Sequence, residues 1–128
     1  MHSNNSEIKE INLYFKKFVS QYDDFYFDVQ LNSTIKKINN ETETDFSENW
    51  ENIIALMQII ERIYNVKSIV TENNYFRFEF HDGNIQDKGV TKIDALYSCC
   101  YKTLKKYWSE TIPNFNRGLE PFDLDDLK

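Results

Sequence analysis

Residues 75–81 alternate without a break, with Phe76, Phe78 and Phe80 on one side and Tyr75, Arg77, Glu79 and His81 on the other. Successive side chains of a strand point to opposite faces, so this pattern is a half-buried strand whose phenylalanine side must be covered. The sequence supplies two covers. Upstream, Trp50, Ile53, Ile54, Met57, Ile60, Ile63 and Tyr64 recur every three or four residues, and Leu56 and Ile59 widen the stripe. Downstream, Ile93, Leu96, Tyr97, Cys100, Thr103, Leu104 and Tyr107 do the same. Both are amphipathic helices. Residues 47–110 therefore read as helix, hairpin, helix, with the helices roofing one face of an antiparallel sheet.

The punctuation agrees. Asp45 and Glu48 have capping-box spacing, with Ser47 a competing N-cap, and Asn65 stops the helix. Residues 66–71 are β-branched and short, Glu72-Asn73-Asn74 is a turn, and Asp82-Gly83 is a hairpin signal. Residues 84–86 can return as a brief third strand. Gly89 releases the backbone, Thr91 with Asp94 offers the next N-cap, and Lys102, Lys105 and Lys106 complement the dipole of the last helix. Pro113 ends the regular structure.

The N-terminal part is an addition to this unit. After Asn4 and Glu7, at capping-box spacing, Ile8, Ile11, Phe15, Phe18, Val19 and Tyr22 define a helical face. Phe25, Phe27, Val29 and Leu31 then alternate with Tyr26, Asp28 and Gln30, which predicts a strand over 25–31. Residues 32–45 admit a short helical turn around Ile35 and Ile38 or an edge strand, ending in an apolar-free loop. The expected fold is α+β: an antiparallel sheet of three to four strands packed against helices, in the order α-β-α-β-β-α. It forms one domain over 1–128, with additions at 1–45 and 111–128.

A net charge of −6 disfavours nucleic acid as a partner. The acidity sits on the flanks: residues 46–118 are neutral, whereas 1–45 and 119–128 each carry −3. No apolar run approaches the ~18 residues of a membrane span. Adjacent cysteines rarely pair, so Cys99 and Cys100 are expected as free thiols in a cytoplasmic protein.

Two segments carry a family likeness. Leu56-Met57-Gln58-Ile59-Ile60-Glu61-Arg62-Ile63, preceded by Trp50, resembles the first helix of the small phage and prophage proteins grouped under the phage "ABA sandwich" name. Thr91-Lys92-Ile93-Asp94-Ala95, running on to Lys106-Tyr107-Trp108, resembles their last helix. The likeness covers about residues 47–110 and lies mostly in core positions. The closing aromatic pair stands here in reverse order, and Trp50 is further from Leu56 than the pattern has it. The resemblance implies an origin on a phage or mobile element and brings no catalytic residues.

Few residues offer chemistry. His81 and Glu79 share a strand face, yet a metal needs three or four ligands, and an exposed strand-end histidine explains the pair. Cys99 and Cys100 have Lys102 and Lys106 within helical reach but no base, and structural thiols are the plainer reading. Asp123, Asp125 and Asp126 lack the glycine and closing glutamate of a calcium loop, which leaves a solvated acidic stretch able to steer a partner. Lys102, Lys105 and Lys106 could touch a phosphate, or simply solvate a helix end. Tyr75, Arg77, Glu79 and His81 combine residue types enriched at binding hot spots with charge. No metal or cofactor and no catalytic residue is expected. The expected function is a non-enzymatic binding protein that antagonises host defence, through a host protein or a small nucleotide signal. An acidic immunity protein or antitoxin against a basic nuclease toxin is the alternative. A homodimer is compatible with either, and no membrane is involved.

Overall fold

A computed structural model describes residues 5–108. It has four helices and one antiparallel sheet: α1 (Asn5–Ser20), α2 (Val29–Asn40), α3 (Trp50–Tyr64), β1 (Lys67–Val70), β2 (Tyr75–Phe80), β3 (Gly83–Lys88) and α4 (Lys92–Tyr107). The class is α+β, as expected, but the order is α-α-α-β-β-β-α.

The order differs in two places: between residues 25 and 40 the expected strand is a loop followed by α2, and residues 83–88 form a full third strand, β3. Asp28 decides the first: its carboxylate accepts from the Leu31 backbone N–H at 2.8 Å and caps the helix. Leu31, Thr34, Ile35 and Ile38 then form one buried helical stripe. The alternation at 25–31 runs across the cap, so its first half belongs to the loop and its second half to the helix. The sheet consequently has three strands in the order β1-β2-β3.

Helix α3 also starts differently. Asn49 caps it by accepting from the Asn52 N–H at 3.0 Å, while Asp45 instead organises the turn before it, accepting from Ser47 and Glu48. Trp50, expected on the buried stripe, is 50% exposed because it occupies the first turn. Ile53, Leu56, Ile59 and Ile60 are fully buried. Asn65, in the left-handed conformation at φ 55°, ends the helix.

Helix α4 lies between the sheet and α1. On the sheet side, the Cys99 thiol donates to the Ile85 carbonyl at 3.2 Å, and Ser98 donates to Asp87. On the other side, Tyr97 meets Phe15 edge-on at 5.1 Å, and Trp108 packs on Tyr14 and Phe18 at 5.1 and 5.3 Å. The Tyr97 hydroxyl donates to Asn12 Oδ1 at 3.1 Å, and Asn12 donates in turn to Asp45. Gly89 joins β3 to α4 where a Cβ would lie 2.5 Å from the Cβ of Asp94, so only glycine fits there without displacement.

Candidate functional site: the outer face of the sheet

The inner sheet face carries Phe76 and Phe78, both buried, and half-buried Phe80 and Ile85, all packed toward the helices. Burying each large apolar side chain contributes about 1.5–3 kcal/mol, so this face holds the sheet in place. The outer face consists of the alternate residues, and register assembles it from three strands. Arg77 sits opposite Ile69 on β1 and Gln86 on β3; Glu79 sits opposite Lys67 and Asn84; Tyr75 sits opposite Lys88.

Tyr75 is 40% exposed, while Arg77 and Glu79 are half-exposed and joined by a 3.0 Å ion pair. The Arg77 Nε is itself buried and has no hydrogen-bond partner among the described residues. Lys67, Arg77 and Lys88 outnumber the single carboxylate of Glu79, so this face is locally positive on a chain of net charge −6. Exposed His81 follows β2 at the turn and stands at the rim. The structure thus brings Tyr75, Arg77 and Glu79 together as the strand alternation requires.

Lys67, Ile69, Asn84, Gln86 and Lys88 complete the surface, and strand periodicity alone does not find them. The Asp82-Gly83 turn does give a signal. A hairpin closing on Phe80 and Gly83 necessarily sets Arg77 against Gln86.

The other described candidates have partners within the chain. Lys102 is 3.2 Å from Asp87, whose carboxyl also accepts from Ser98 and the Lys88 backbone. Burial pushes the Asp87 carboxyl up, and these three donors together bring it below the usual carboxylate range. Lys105 and Lys106 lie over the rings of Tyr101 and Tyr107. Both cysteines are free and buried. Burial pushes the Cys99 thiol up to about 12 and holds Cys100 well above the ordinary thiol range. Burial thus disfavours the thiolate form of both near neutral pH. Among the described residues no group of three or more His, Cys, Asp or Glu could hold a metal ion, and no helix is long and apolar enough to cross a membrane. Asp123, Asp125 and Asp126 lie outside the described residues.

Neither a protein-family model, a curated protein nor a solved structure matches the chain.

Proposed function

We propose that this chain is a non-enzymatic binding protein that docks another protein on the outer face of its sheet. The observation that carries this reading is the makeup of that face: a tyrosine, a central arginine and two flanking lysines around one carboxylate. Arginine and tyrosine supply much of the binding energy at protein interfaces. The positive sign favours an acidic partner surface, steered by complementary charge. Small-molecule sites are concave, and a three-stranded sheet face is shallow, so a protein suits it better than a nucleotide signal. The resemblance of residues 47–110 to phage proteins favours a partner in a host cell, where occluding a defence protein is the simplest use of such a surface.

A photo-crosslinking residue in place of Tyr75, Gln86 or Lys36 tests this in host cells. Positions 75 and 86 share the outer face and should capture the same protein, whereas Lys36, exposed on α2, should not. An equal yield from all three positions, or none from 75 and 86, contradicts the reading.

The immunity-protein alternative draws on a different observation. The exposed carboxylates of Asp23 and Asp24 lie together at the end of α1, and a net charge of −6 attracts a basic toxin. Its mark would be association with a basic nuclease that slows steeply as salt is raised.

A further inference from the structure

The loop from α1 and the first residue of α2 leave large apolar side chains exposed. Phe25 is 49% exposed, Tyr26 75% and Val29 76%, three large apolar residues within one five-residue stretch. Exposed apolar residues scattered over a surface are ordinary; three so close in sequence on a fastened loop are less so.

The support is held at several points by hydrogen bonds and ring contacts. Asn32 reaches back to both sides of it, donating from Nδ2 to the Phe25 carbonyl at 3.1 Å and accepting from the Phe27 N–H at 3.0 Å. The Phe25 N–H donates to the Tyr22 carbonyl at 3.2 Å. Phe25 stacks on Phe27 with ring centroids 5.9 Å apart, and Tyr22 meets Phe25 edge-on at 5.0 Å. Arg62 covers Phe27 at 5.9 Å and pairs with Asp28 at 3.2 Å, pinning the loop to the end of α3. Surface held this way loses little entropy on binding.

We infer that this corner is a second docking surface, and that its occupant is a segment of another protein with an apolar centre and a basic rim. The charge selects the occupant. Asp23 and Asp24 border the patch, and Asn39 holds Asp23 by donating at 2.9 Å without neutralising it. A second copy of the chain is disfavoured, since two-fold pairing through this patch sets the same carboxylates near one another. Residues 119–128 carry −3 and are repelled in the same way. Lysine or arginine around an apolar centre meets both features at once. The inference stands without the sheet-face reading, because it uses no residue of the sheet, and it shares Asp23 and Asp24 with the immunity-protein alternative.

The full-length protein, labelled with 15N, is titrated at low salt with a synthetic Leu/Lys amphipathic helical peptide and with its Leu/Glu counterpart. The basic peptide should shift amides centred on residues 22–32. Tyr26→Ser with Val29→Ser should weaken its binding tenfold or more, as should Asp23→Lys with Asp24→Lys, while both variants keep the parent spectrum elsewhere. Shifts absent from the corner, shifts centred on another acidic surface, or an equal response to the acidic peptide overturn the inference. So does a dimer that dissociates in the Tyr26→Ser variant, because the occupant is then a second copy. Loss of binding here with intact crosslinking from Tyr75 separates the two surfaces.

Discussion

Tyr107 lies flat on Phe80, ring centroids 4.5 Å apart and planes inclined by 15°, and its hydroxyl donates to Asp82 at 3.0 Å. The last turn of α4 is thereby fastened to the end of β2 and to the hairpin after it. Phe80 continues inward to Phe78 and Phe76 through edge-on contacts of 6.4 and 5.1 Å, and Tyr64 joins the same cluster. Tyr107→Ala removes both stacking and hydroxyl and should cost about 2–3 kcal/mol. Tyr107→Phe keeps the ring and should cost under about 1 kcal/mol, since the lost hydrogen bond is exposed. Urea unfolding of the two variants measures the difference.

Gly89 leaves no space for a side chain beside the first turn of α4. A Cβ there meets the Asp94 Cβ at 2.5 Å and the Ala95 backbone nitrogen at 2.6 Å. Gly89→Ala should therefore destabilise by about 1–3 kcal/mol, through the displacement it forces. Gly83 is the informative contrast: a Cβ there touches nothing within 4 Å, but its φ of 141° strains any L side chain, so Gly83→Ala fails for a backbone reason.

The two thiols should be silent in the folded protein. Cys99 donates to strand carbonyls and Cys100 is wholly enclosed, so labelling by a disulfide reagent at pH 8 should run about a hundredfold or more slower than in urea. The raised thiol pKa of Cys99 also fixes a sign. Its neutral form is the one the fold accommodates, so its contribution is complete below the ordinary thiol pKa. That contribution is lost as pH climbs toward about 12. Cys99→Ala should flatten this alkaline loss, as followed by urea midpoints between pH 8 and 11.

Asp45 acts at the other end of the scale. Burial alone raises its carboxyl, but donors from the Ser47 hydroxyl, the Glu48 and Ser47 backbones and Asn12 hold it below the usual carboxylate range. A depressed folded pKa contributes stability above the unfolded pKa of about 4. It is lost as pH falls through the folded value. Asp45→Asn should lower stability at pH 7 and lessen its decline between pH 5 and 3.

The sheet and the helices around it were legible because their patterns are long and uninterrupted. Phe76, Phe78 and Phe80 mark β2, and Asn65, Gly83 and Thr91 punctuate its neighbours where the chain turns. The region between α1 and α3 was misread for a local reason. Phe25, Phe27, Val29 and Leu31 keep a period of two across a helix cap, and Asp28 can end a strand as readily as begin a helix until Asn32 is seen gripping the loop. Of the outer face, Tyr75, Arg77 and Glu79 came from one strand. Lys67, Ile69 and Lys88 required cross-strand register, which the alternation of β2 alone does not carry.

Gln86, opposite Arg77 on the outer face, offers the most direct test. With both native cysteines buried, Gln86→Cys places one reactive thiol there and leaves Tyr75 and Arg77 in place. Its rate of maleimide labelling is measured in the purified protein and in host cells expressing it. A binding protein that uses this face predicts fast labelling of the purified chain and marked protection in cells, where a partner covers residue 86. Protection already in the purified chain, or equally fast labelling in both settings, contradicts a docking surface on the outer sheet.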